Sequence, residues 1–324
     1  MTCQSNQGGA LLAVLWLSAA LSVIAFALAN TVRGEIERSS TAVDGLRTQY
    51  LAEAGIERGI LYVEWTRETQ MPPNVPLRYS AATPFLPFSF PNGRAFVEVV
   101  PETAKMNLNT SPVADLMRLI LAMGVDPDRA AQIVRFIVAR RNPAEAAQMG
   151  ALNASFAPSF QPGAASFQET EELMALPGIT PDLYYGGYNH DADGHLVPHA
   201  GLRDCVSVFG ATDRFDVNTA QPPVFAAIGL PPEVVAAIVA RRRVQPFKGG
   251  QELANLAAGG GEAFGRLRVG GNSIFTLRST ARMLLPNGQL SDLERTAAAT
   301  VKFLPLDDNP KLQILRWYDN AWHP

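Results

Sequence analysis

Histidine and cysteine are scarce in this chain. Four histidines (His190, His195, His199 and His323) and two cysteines (Cys3 and Cys205) occur in 324 residues. No G-x-S-x-G, H-E-x-x-H or paired-cysteine pattern accompanies them. Without such patterns there is no foothold for a nucleophile–base pair, a zinc cage or a disulfide framework, and the sequence is read as non-enzymatic. An excess of basic residues is missing too: the formal net charge is -3, against a dedicated nucleic-acid binder. Charge is absent altogether from Met1 to Val32, which holds no Asp, Glu, Lys or Arg. That excludes the basic opening region of an ordinary secretory signal.

What this uncharged stretch does contain is a long apolar run. Ala10 to Ala29 is 20 residues, which as a helix spans about 30 Å, the thickness of a bilayer's hydrocarbon core. Gly8-Gly9 stands immediately before it and resembles the cleavage site of type IV prepilins and pseudopilins, with the cut between Gly9 and Ala10 and the helix retained.

Beyond the run, Ile36, Val43, Leu46, Tyr50, Leu51, Ala54, Ile60, Leu61 and Val63 recur near helical spacing among charged residues. This predicts an amphipathic continuation over 33–69 with one face laid on a domain. Six prolines between Met71 and Pro91 stop the helix. Pro84 to Phe90, the turn Pro91-Asn92-Gly93 and Arg94 to Glu102 read as a β-hairpin. The pattern returns only at Ser273 to Leu285, Pro286-Asn287-Gly288 and Gln289 to Leu304, with Lys311 to Tyr318 as a last strand.

The middle of the chain, 105–271, reads as helical and repeats itself. Asn107-Leu108-Asn109-Thr110 returns as Asp216-Val217-Asn218-Thr219, Ile137 to Arg141 returns identically as Ile238 to Arg242, and Phe167 to Leu173 has a partner in Phe247 to Leu253. The offset falls from 109 to 101 to 80, so the first copy carries 8 and then 21 extra residues, both expected in loops. Each copy resembles a helix-hairpin-helix or SAM-like bundle, with approximate bounds of 105–188 and 214–268. Such hairpins can hold DNA phosphate on a Gly-[IV]-Gly turn. Here Pro177-Gly178-Ile179-Thr180 and Ile228-Gly229-Leu230-Pro231 depart from that motif, and Arg140, Arg141 and Arg241 to Arg243 have a plainer reading at helix C-termini. DNA is therefore not expected as a partner. Asn189 to His195 offers Asp191 and Asp193 before Gly194, an oxygen-ligand pattern that suits calcium. It lacks an EF-hand's closing glutamate, so no cofactor is assigned and calcium is the one candidate.

Gln49-Tyr50-Leu51-Ala52-Glu53-Ala54-Gly55-Ile56-Glu57 resembles the segment that follows the anchor in minor pseudopilins. Together with Asn107-x-Asn109-Thr110, Glu172 to Tyr184 and Asp216 to Ala220, the layout resembles the K-type minor pseudopilin of type II secretion systems over most of the chain. The resemblance implies an α+β fold, with a long N-terminal helix packed on a small antiparallel pilin-like sheet. A large all-α insert of duplicated units interrupts that sheet.

The implied organisation is a leader at 1–9, a transmembrane helix at 10–32, pilin-like helix and strands at 33–104, the insert at 105–271 and closing strands at 272–324. The implied location is the inner membrane, single-pass, with a periplasmic body. The implied partners are other minor pseudopilins, the inner membrane and prepilin peptidase, met through Val14, Tyr50, Leu51, Ala54 and Ile56. Val14 is the fifth residue after the cut, where the family commonly carries a glutamate, and its absence implies a subunit with no neighbour ahead of it. A membrane-anchored DNA receptor of the competence type and a tip minor pilin of a type IV pilus are the alternatives.

The mature chain is expected to begin at Ala10. N-terminal sequencing of membrane-extracted protein checks this, and an intact Met1 would return the segment to an uncleaved anchor.

Overall fold

The computed structural model describes residues 7–67, 79–142, 166–190, 194–210, 213–256, 261–305 and 311–321. One helix, α1 (Gln7–Arg67, 61 residues), runs without a break from the apolar run into the body. Five antiparallel strands form its partner: β1 (Phe85–Phe90), β2 (Gly93–Pro101), β3 (Ile274–Leu284), β4 (Leu290–Phe303) and β5 (Leu312–Tyr318), in the spatial order β1-β2-β3-β4-β5. All of 102–273 separates β2 from β3 in sequence, yet the two pair from Gly93 with Met283 to Pro101 with Phe275. Alternation sends Leu86, Phe88, Ala95, Val97, Val99, Leu277, Ala297, Ala299 and Val301 to the face that α1 covers.

The helix lies unusually close to this sheet because it meets it with small residues. A methyl group at Gly55 would come within 2.9 Å of the Ala95 Cβ, and one at Gly59 within 2.9 Å of a Leu277 methyl. Thr48 and Ala52 extend the same stripe and are fully buried. Bulkier Ile56, Ile60 and Val63 fill the core beside it.

The insert has its own core, shared between two units. The first holds α2 (Val113–Ala122) and α3 (Pro127–Arg141), and the second α4 (Pro222–Ala227) and α5 (Pro232–Val244). Each is closed by a two-residue parallel pair, Met106–Asn107 with Val206–Ser207 and Phe215–Asp216 with Leu267–Arg268. The insert is therefore not all-α, since it also carries an antiparallel hairpin, Gly187–His190 with Leu196–His199. Tyr188 and Val197 favour that extended state, and Gly194, at φ 84°, lies in its turn.

The same polar contacts recur in both units at the offsets found in the sequence. Asn109 exchanges two hydrogen bonds with the Phe167 backbone, and Asn218 does the same with Phe247. Arg140 pairs with Glu172 over the Phe167 ring, and Arg241 pairs with Glu252 over the Phe247 ring. Arg141 donates to the carbonyls of Leu108 and Ser111, and Arg242 to those of Val217 and Ala220.

The hairpin glycines Gly124 and Gly229, both at positive φ, are 105 apart, midway between the offsets of 109 and 101. The 8 extra residues are thus four before the hairpin and four after it, about one helical turn in α2 and one in α3. They are helix and not the loop that composition suggested, because an insertion of one turn keeps the apolar face in register. The 21-residue excess lies outside the described residues. The corresponding hairpins are Gly124-Val125-Asp126 and Gly229-Leu230-Pro231, so Pro177 to Thr180, read from sequence as the counterpart of Gly229, belongs instead to the next turn of the first unit.

One pair of equivalent positions differs for a legible reason. Asn107 Nδ2 donates to the Gly210 carbonyl at 2.8 Å, whereas Asp216 Oδ1 accepts from the Gly270 N–H at 2.6 Å. The facing backbone atom has opposite polarity, and so the side chain must too. Burial pushes the Asp216 carboxyl above the ordinary carboxylate range, and hydrogen bonds from Thr219 and Gly270 pull it back.

Asp216→Asn, though it copies the residue at position 107, should set an amide N–H against the backbone N–H of either Gly270 or Thr219 and destabilise the insert by about 1–3 kcal/mol. Urea unfolding of the detergent-solubilised chain reads this directly.

Candidate functional site

Apolar periodicity alone would lay Ile36, Val43, Leu46 and Tyr50 on the body. The fold does the reverse. They point to solvent, with Ile36 63%, Leu46 60% and Tyr50 67% exposed, and Val32 beside them is 49% exposed. For Ile36 and Val43 the reason is that α1 stands clear of the body, every residue from 35 to 43 being exposed; for Leu46 and Tyr50 it is close packing, since the side of α1 next to the sheet accepts only small residues, which carry little weight in a hydrophobicity pattern. Sequence reasoning missed that signal, which lay in Gly45, Thr48, Ala52, Gly55 and Gly59.

The residues expected to meet partners therefore divide. Tyr50 is exposed, and Leu51 and Ala54 are half-buried at the edge of the helix–sheet contact. Ile56 is fully buried in the chain's own core and is not available to a partner, a correction that follows from its place one residue after Gly55. Gly9, Ala10 and Val14 lie on the bare N-terminal part of α1, where every side chain from Ala10 to Val32 is exposed. Among the described residues this is the one helix long and apolar enough to cross a membrane. Within it Ser18 and Ser22 donate to the carbonyls of Leu15 and Ser18, so neither hydroxyl is left unbonded.

Charged and polar contacts tie the insert to the outer face of the sheet, beside Val100 of β2, which packs into the insert's core. Glu102, 4% exposed, follows directly on β2 in a 3-10 turn, and its Oε1 accepts from Lys105 Nζ at 2.9 Å and Thr276 Oγ1 at 2.6 Å. Its Oε2 accepts from Ser207 Oγ of the insert. Arg278 on β3 is paired with Glu98 at 3.4 Å and with Asp204 of the insert at 3.7 Å. Arg316 on β5 reaches Glu169 at 2.7 Å. These contacts fix where the insert projects and leave the outward side of α1 free.

Four of the five arginines at these helix ends are turned inward. Arg140, Arg141, Arg241 and Arg242 are used by the repeated contacts described above, and Arg243 is the exposed member of that set. The calcium candidates Asp191 and Asp193 lie outside the described residues. Among the described residues no group of three or more His, Cys, Asp or Glu gathers where it could hold a metal ion. Cys205 is buried, and burial pushes its thiol well above the usual range, so it is not a reactive nucleophile.

No protein-family model matches the chain, and no curated protein matches it. Among solved structures it is similar to a chain of "The Crystal Structure of the GspK-GspI-GspJ complex from enterotoxigenic Escherichia coli Type 2 Secretion System", at 16% identity and a TM-score of 0.55. The likeness covers 89% of this chain and 100% of that one. At that identity it establishes a shared fold with a chain of that complex.

The division of α1 into two faces has a measurable consequence. Ile56→Lys should destabilise the body by about 4 kcal/mol or more, since it buries an unpaired charge. Tyr50→Lys should change stability by less than about 0.5 kcal/mol. Guanidinium unfolding of the two variants in detergent checks both.

Proposed function

We propose that this chain is a non-catalytic, K-type minor pseudopilin that assembles with other minor pseudopilins, supporting protein export across the outer membrane. The observation that carries the reading is the shared fold, which extends along the whole length of its neighbour in the GspK-GspI-GspJ complex. Its physical counterpart is a helix whose outward face is apolar over its exposed length. A lone soluble body has no use for that face, whereas an assembly of parallel anchors buries it.

In this reading Gly9 and Ala10 flank the prepilin peptidase cut, Ala10 to Val32 is anchored in the inner membrane and the body is periplasmic. Val14 replaces the carboxylate that would pair with the amine of a subunit ahead. A buried carboxylate without its partner costs several kcal/mol, so a capping subunit has reason to lack one. The tip position follows from that and from the bulk of the insert, which a repeating shaft would have difficulty accommodating. The insert is two helix-hairpin-helix copies, one bracketed by Met106 and Ser207 and the other by Phe215 and Arg268, used as rigid structure.

Loss of this chain should abolish type II export, and the detergent-extracted chain should co-purify with at least two other chains bearing prepilin leaders. Unchanged export together with purification as a lone chain would overturn the assignment.

A further inference from the structure

A cavity of about 420 Å³ opens between the outer face of the sheet and the insert. The sheet brings Glu98 of β2 and Arg278 of β3 to it, and the insert brings Arg203 and Asp204 from the short helix Leu202–Cys205. These side chains form a series of alternating charge: Glu98 to Arg278 at 3.4 Å, Arg278 to Asp204 at 3.7 Å and Asp204 to Arg203 at 3.9 Å. All four are largely buried, with side-chain exposures of 20%, 8%, 15% and 14% in that order of residues. Ion pairs of this length offset only part of the cost of withdrawing four charged groups from water. Glu98 Oε2 is the clearest case, since it is buried and accepts no hydrogen bond. Burial also lowers the Arg203 guanidinium from its ordinary range.

Much of the remaining wall is apolar or aromatic. Val100 and Pro198 line it, and Tyr185 and Tyr188, 48% and 68% exposed, stand where it meets solvent. The Arg203 guanidinium lies over the Tyr185 ring, 5.0 Å from its centroid. A bare ion would leave most of this volume and these ring surfaces to water, so the matching occupant has an apolar body as well as charge. The charges it meets alternate in sign at separations under 4 Å. Its own charges must be as close together, and both signs must be present. A carboxylate and an ammonium attached to one carbon satisfy this, whereas an inorganic anion offers Glu98 no donor.

We propose that this cavity binds a free α-amino acid with a large apolar side chain. Its ammonium donates to Glu98 Oε2, its carboxylate accepts from the guanidinium groups of Arg278 and Arg203, and its side chain lies against Pro198, Tyr185 and Tyr188. Glu98 and Arg278 belong to the sheet, and Arg203 and the two tyrosines to the insert, so the bound amino acid ties the two bodies together. The site is independent of the assembly role proposed above.

The test is isothermal titration calorimetry of the full-length chain in detergent, at neutral pH and fixed ionic strength, with L-phenylalanine and L-leucine as probes. At least one of them should bind saturably at one site per chain. Its N-acetyl and carboxamide derivatives, each lacking one of the two charges, should bind at least about tenfold more weakly. That comparison uses the unaltered protein and does not depend on any variant folding. Glu98→Gln, which keeps the size of the side chain and removes its charge, should weaken the parent amino acid about tenfold and its N-acetyl derivative by less than about twofold. Absence of saturable binding by either probe at about 10 mM, a level that corresponds to negligible affinity, overturns the proposal. So does equal binding of the parent and both derivatives, or an unchanged affinity for the parent in Glu98→Gln.

Discussion

Close approach of one helix to one sheet is the constraint on which the rest of the molecule depends. Gly55 and Gly59 bring α1 against Ala95, Val97, Leu277 and Ser279 at distances that a single methyl group would violate. The dispersion gained there is dense because no large side chain intervenes. The same contact also fixes the rotation of α1 about its axis. Once the small stripe is turned to the sheet, Leu46 and Tyr50 can only point away, and the chain presents an apolar surface because it has already chosen what to bury.

The sheet in turn provides the platform for the insert. Its inner face is consumed by α1, so what remains for the insert is an outer face rich in hydroxyl and charged residues beside Val100, with Thr276 bonded to Thr300 and Thr280 to Thr296 across β3 and β4. The contact made on such a face is polar: Glu102 with Ser207 and Thr276, Arg278 with Asp204, Arg316 with Glu169. Buried charge of this kind contributes direction more than stability, since desolvation offsets much of the attraction. Two bodies whose apolar cores meet only at Val100 of β2 can therefore keep a defined orientation without fusing into one.

Within the insert, recurrence of the same interactions carries more information than recurrence of residues. Arg140 and Arg241, Asn109 and Asn218, Phe167 and Phe247 make matching contacts although the surrounding sequence has drifted. The arginines are spent on carbonyls and glutamates that would otherwise be unsatisfied, so a basic sequence motif here reads as scaffolding and not as a phosphate grip. Asn107 and Asp216 mark where the two units parted, each matched to the polarity of one backbone atom.

Much of this architecture was legible in the chain itself. The apolar run and its length, the Asn-Gly turns, the alternation of β1 to β4 and the repeat between Asn107 and Leu253 are local or periodic signals. Such signals follow from backbone geometry that every chain shares. What the sequence could not settle was which face of α1 is inside. Hydrophobicity assigns Leu46 and Tyr50 to the core and passes over Gly45, Thr48 and Gly55, because a pattern scores what a residue offers to burial and not how near the neighbouring backbone comes. That distance exists only once β2 and β3, far apart in sequence, stand side by side beneath the helix. The same long-range pairing places Glu102 between Ser207 and Thr276. Composition and periodicity thus determined which elements form. Only tertiary packing decided which of their faces remained for a partner, because exposure is a property of the space left over after close packing.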